Sequence, residues 1–114
     1  VRASSALAVI TVTGGTLRDY AAGGSAVEAV WVHAQQHGLA VQPVSPVWLF
    51  AQDTTDLTKL SARFADELGR LQREFIDLAG AGADERIALI LRLTTAAPSA
   101  VTSRRSADRI RLPQ

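Results

Sequence analysis

The 114-residue sequence contains no cysteine and no methionine. The first absence excludes disulfides, thiolate metal sites and thiol chemistry, and suits a reducing, cytoplasmic compartment. The second points to a piece of a longer protein, because a translation product begins with methionine and this chain opens Val1-Arg2-Ala3-Ser4-Ser5. That opening also lacks the charged n-region, long apolar stretch and cleavage site of a signal peptide. No apolar run approaches the ~18 residues that a membrane-crossing helix requires. An excess of one charge is missing too: the formal net charge is +1, and the basic residues are dispersed except around Arg104, Arg105, Arg109 and Arg111. Neither a nucleic acid nor a membrane surface is therefore expected as a partner, whereas a small anionic ligand is compatible with this balance.

What is present is enough for one domain over residues 1–114, since a chain of this size can bury about two thirds of its unfolded surface in one core. Ala6 to Thr13 is a dense run of Leu, Val, Ile and Thr closed by Gly14-Gly15, and is expected to be a central strand buried on both faces. Ser25 followed by Glu28 spells a capping box after Gly23-Gly24, so a helix is expected over residues 24–38 with Val27, Val30, Trp31 and Ala34 inward. Gly38 stands where a left-handed closing residue is wanted. A short strand over residues 40–44 follows, limited by Pro43 and Pro46.

The clearest periodicity lies further on. Leu57, Leu60, Phe64, Leu68, Leu71, Phe75 and Leu78 are spaced by threes and fours, and charged residues fill the other positions. One long amphipathic helix over residues 55–79 is expected, opened by Asp53 or Thr55 and closed at Ala79-Gly80, its apolar stripe serving as core or as a dimer seam. Ile87 to Leu93 reads as a second central strand, with a helix opened by Asp84 as the alternative, and the tail beyond Pro98 as an extended C-terminal arm. The fold class is α/β, or α+β in some schemes: a small central sheet packed by helices.

Chemistry-bearing constellations are few. His33 and His37 stand four apart on one helix and could share a metal, but no cysteine or suitably placed acid completes a ligand set, and no metal is expected. The glycine pairs have neither dinucleotide-binding nor Walker spacing, and Ser25 has no nucleophile-elbow context, so no catalytic side chain is assigned. Arg104-Arg105, in the polar setting Thr102-Ser103-Arg104-Arg105-Ser106, offers adjacent guanidinium groups suited to a phosphate, with a solvated basic tail as the alternative.

The succession of these segments resembles a known family. A buried strand, a helix carrying Gly24-Ser25-Ala26-Val27-Glu28 and Val30-Trp31, the segment Gly38 to Pro46, a long helix, the strand Ile87 to Leu93 and an arm with Ser103-Arg104-Arg105 look like the C-terminal half of FMN-dependent nitroreductases. Actinobacterial members are the nearest in character, including those fused to an adenylating domain. The resemblance covers nearly all of this chain and about half of the family's domain. It implies a partial nitroreductase-like fold, a homodimer with flavin at the interface, and NAD(P)H-driven reduction of nitroaromatic or quinone-like acceptors. Matched residue by residue, the segment beside the flavin ring falls on Pro43, Val44, Ser45 and Pro46, with the Ser45 N–H as donor to the ring, and the phosphate-binding residue on Arg105 beside Arg104. Pro46 departs from the glycine often found there and removes one N–H. The family's N-terminal flavin contacts have no counterpart in this chain.

Overall fold

The computed structural model describes residues 6–95. Three strands and three α-helices run in the order β1 (Ala6–Thr13), α1 (Leu17–Gln36), β2 (Leu39–Val44), a 3-10 turn (Val47–Phe50), α2 (Thr54–Leu60), α3 (Ala65–Ala79) and β3 (Glu85–Thr95). The strands form one antiparallel sheet in the order β1-β3-β2. Helices beside an antiparallel sheet make this an α+β fold.

The last strand in sequence is therefore the central one, and β1, expected at the centre, lies at an edge. Its burial follows from that position: Ile10 and Val12 are buried while Leu7 is exposed, as suits a strand covered on one face. β3 carries the two most deeply buried side chains, Ile90 and Leu91, which point to opposite faces of the sheet. The β1–β3 register slips between Ile10 and Thr11, leaving Ala88 as the extra residue of a bulge. A bulge shifts the alternation by one, which is why Ile87 and Ile90, three residues apart, both join the same apolar cluster.

α1 covers one face. It begins earlier than the Ser25–Glu28 pattern predicts, because Thr16 and Asp19 form the capping box that is used: the Asp19 N–H donates to the Thr16 hydroxyl and the Asp19 carboxylate accepts the Thr16 N–H. Gly23 and Gly24 consequently lie inside the helix. Gly23 is buried where α1 crosses the sheet, and a Cβ on it would fall 2.8 Å from Val12 and 3.2 Å from Ala88. Ala34 is buried lower on the same stripe, and α1 closes through Gly38 at φ 71° as the sequence predicts.

The opposite face is covered by the 3-10 turn with α2 and α3. Trp48, Ala51, Leu57 and Ile90 form its buried centre, joined by Val44, Leu68, Phe75 and Ile87. Trp48 and Phe75 pack as tilted rings with centroids 5.1 Å apart. Gln72 ties α3 to the turn, its amide nitrogen donating to the carbonyls of Trp48 at 3.0 Å and Ala51 at 2.9 Å.

The single helix expected over residues 55–79 is two helices. Ser61 is extended at φ −162° and ψ 104°, and ends α2, which Asp53 caps by accepting the Asp56 N–H. The break lets α3 fold back on α2, where a Cβ on the buried Gly69 would stand 3.2 Å from Leu57. The seven-residue stripe is divided accordingly. Leu57 is buried, Leu68 and Phe75 are half-buried, and Leu60, Phe64, Leu71 and Leu78 are exposed, Leu78 to 86%. The expected C-terminal arm lies outside the described residues.

Candidate functional site

The residues that sequence singles out for flavin contact stand at the end of β2. Val44 pairs with Ile90 as the last rung of the β2–β3 ladder and turns its side chain into the apolar cluster. Pro43 is exposed one residue earlier, in a strand whose outer edge has no partner among the described residues, a position proline tolerates. Ser45 follows the ladder and is exposed. Pro46, extended at φ −61° and ψ 148°, opens the 3-10 turn, and its carbonyl accepts the Leu49 N–H at 2.9 Å. These four residues thus form an accessible strand-to-turn junction. Arg104 and Arg105 lie outside the described residues, so only the junction half of the flavin assignment is brought into view.

As a fit for FMN the junction is partial. It offers an exposed backbone edge at Ser45, while Pro46 has no N–H to give. None of the four residues lines any of three clefts found among the described residues.

Those clefts were not legible from local sequence. The first, about 290 Å³, lies between the start of α1, the loop into α2, and α3 with β3, and is lined among others by Tyr20, Trp48, Gln52, Gln72, Glu85 and Arg86. Arg86 reaches Gln52 across 34 residues of sequence, its Nη1 donating to the amide oxygen at 2.8 Å. The only local hint was the polar stretch Asp84-Glu85-Arg86 opening an apolar strand. The second cleft, about 660 Å³, is an apolar groove between α1 and the sheet floored by Ala34, Leu39 and Leu93. His33 and His37 form its rim, their ring centroids 4.4 Å apart, and the His37 ring nitrogen Nδ1 lies 2.9 Å from the His33 carbonyl. No third ligand joins them: among the described residues no group of three or more His, Cys, Asp or Glu could hold a metal. The third cleft, about 300 Å³, runs beside the α1 crossing at Gly23.

Two carboxylates have pKa values held below the ordinary one. Asp19 is lowered by the hydrogen bonds from the Thr16 hydroxyl and then from the Thr16 N–H. Asp56 is lowered first by the Gln52 N–H and next by the hydrogen bond from Lys59. Both are half-buried helix-start acids, and their shifts belong to capping rather than to a reactive centre.

The geometry defines the class as an α+β domain with a three-stranded antiparallel sheet between unlike helical layers. Comparison extends this to a relative: the chain is 53% identical over 105 residues to a protein of Mycobacterium tuberculosis (strain CDC 1551 / Oshkosh) described as uncharacterized protein MT1398. The match takes in 92% of this chain and 15% of that protein, so the chain spans a small part of its relative's length. No family model and no solved structure matches. No helix among the described residues is long and apolar enough to cross a membrane.

Proposed function

We propose that this chain is the C-terminal part of a flavin-dependent NAD(P)H oxidoreductase of nitroreductase type, in a longer cytoplasmic protein that reduces nitroaromatic or quinone-like acceptors. The observation that carries the reading is the Pro43-Val44-Ser45-Pro46 junction. It has the residue order expected beside a flavin ring and stands accessible at the end of an edge strand. In this reading Ser45 presents its backbone N–H to the ring, Val44 anchors the junction in the core, and Arg105 with Arg104 holds the phosphate. Bound FMN would supply hydride chemistry between the nicotinamide and the acceptor, and no side chain of this chain is required as acid or base. The match to 15% of a longer relative supports the view that further contacts come from elsewhere in the parent protein. Absorbance in the flavin bands of the purified parent, with release of FMN on denaturation, tests the reading; a colourless parent that takes up no added FMN rejects it.

A second reading is favoured by a separate observation. Leu60 at the end of α2, Phe64 at the start of α3, and Leu71 and Leu78 within α3 leave large apolar side chains exposed, and exposed apolar surface of this kind suits a protein interface. A non-catalytic nitroreductase-like dimerisation domain would use that surface. Under either reading the chain forms a homodimer, and sedimentation at micromolar concentration should find no monomer.

A further inference from the structure

The cleft around Arg86 is built from parts distant in sequence, and its polar groups are unequally engaged. The Gln72 amide nitrogen is spent on the Trp48 and Ala51 carbonyls. Glu85 accepts the Gly82 N–H at 2.8 Å. Asp19, at the nearby start of α1, accepts both the N–H and the hydroxyl of Thr16. Glu85 and Asp19 are therefore engaged by other donors, and neither forms an ion pair with Arg86.

Arg86 has one side-chain partner among the described residues. Gln52 accepts one Nη1 hydrogen bond, and Gly15 packs so near that a Cβ there would lie 3.4 Å from the guanidinium carbon. One donor of the fork is used, and the others remain for a ligand. The same cleft is lined by the apolar and aromatic side chains Tyr20, Trp48, Ile76 and Ile87 beside the polar Gln52, Gln72 and Glu85. A planar cation in a cleft that also presents aromatic and apolar side chains matches an anion carried on an apolar body. The volume of about 290 Å³ falls just short of the ~300–1,000 Å³ typical of ligand sites and restricts the body to something small.

We propose that this cleft binds a small carboxylic acid with an aromatic or branched apolar body, its carboxylate taken by Arg86 and its body laid against Trp48 and Ile76. The site shares no residue with the Pro43–Pro46 junction and does not depend on the flavin reading.

The probe is benzoate, with benzamide as its uncharged isostere, added to the protein at its full natural length and followed by saturation-transfer NMR at neutral pH. Benzoate should bind at least ~10-fold more tightly than benzamide, since one face of a charge-assisted bidentate pair is lost in the amide. Arg86→Gln should weaken benzoate by a similar factor. Ala83→Trp, at the exposed lip of the cleft, should block it while leaving Arg86 and the core intact. Equal binding of the two probes overturns the proposal, as does undiminished benzoate binding in either variant with an unchanged thermal midpoint. The readout involves no flavin, so a parent lacking FMN leaves this result standing.

Discussion

Gly23 of α1 packs directly on Val12 of β1, with room for a hydrogen and not for a methyl group: a Cβ would come within 2.8 Å of the valine side chain. One residue onward the surroundings are opposite, since nothing lies within 4 Å of a Cβ built on Gly24. The adjacent pair that looks like a helix breaker is thus one packing residue and one exposed helix position.

Opposite signs follow for the same substitution. Gly23→Ala gains helix propensity of ~1 kcal/mol but incurs overpacking of about 1–3 kcal/mol against Val12 and Ala88, so the net effect is destabilising. Gly24→Ala gains the propensity alone and should raise stability by roughly 0.5–1 kcal/mol. Urea denaturation midpoints of the two variants check this, and a fall for both or a rise for both is incompatible with α1 crossing the sheet at Gly23.

Leu57 and Leu78 end the same sequence stripe and should behave differently. Leu57 is 5% exposed and meets Gly69, whereas Leu78 is 86% exposed. Leu57→Ala should cost about 2–5 kcal/mol by opening a cavity. Leu78→Ala should stay within about 0.5 kcal/mol in the monomeric fold. If instead Leu78→Ala destabilises in a manner that grows with protein concentration, the exposed stripe is a dimer seam.

The pattern of strengths and failures in reading the chain has a physical origin. Helix ends closed by Gly38 and Gly80 were legible because a left-handed residue is a local demand, met at φ 71° and 70°. The strands were legible as runs of β-branched and apolar residues, but their order was not, since pairing of β1 with β3 joins Ala6 to Leu93 across nearly the whole chain. Periodicity carried the helix over residues 55–79 straight through Ser61, because a three-four spacing on both sides of a break mimics one face. The extended backbone of Ser61 and the docking of Gly69 on Leu57 show that the chain turns there. The Pro43–Pro46 junction was visible as turn chemistry. The Arg86 cleft was not, being assembled through Gln52 at a distance no local pattern reports.

Acid should weaken the starts of α1 and α2 together. Asp19 and Asp56 have folded-state pKa values below the ordinary 3.8. A depressed carboxylate contributes stability that is fully present above its unfolded pKa and lost as pH falls through the folded one. Stability should therefore hold at neutral pH and decline below about pH 4. Asp19→Asn and Asp56→Asn should each flatten that acid limb in chemical denaturation. A limb unchanged in the double variant would mean that other carboxylates govern it.

The flavin reading makes the most exposed commitment on two residues outside the described fold. Arg104 and Arg105 are the adjacent cations that the nitroreductase resemblance assigns to the FMN phosphate, and a charge-assisted pair of this kind is worth about 1.5–3 kcal/mol. Since every ~1.4 kcal/mol is tenfold in affinity, Arg104→Ala with Arg105→Ala should weaken FMN by at least ~10-fold in the parent protein. Riboflavin, which has the ring and lacks the phosphate, provides the control: its affinity should be nearly the same in wild type and double variant. The isolated 114-residue chain should bind FMN poorly, because it carries the Ser45 edge and the arginine pair without the remaining wall of the site. Fluorescence titration of FMN and riboflavin into the parent, the double variant and the isolated chain separates the possibilities. Unaltered FMN affinity in the double variant removes the phosphate role, an equal loss for riboflavin shows that the arginines act on folding instead, and tight FMN binding by the isolated chain removes the half-site reading.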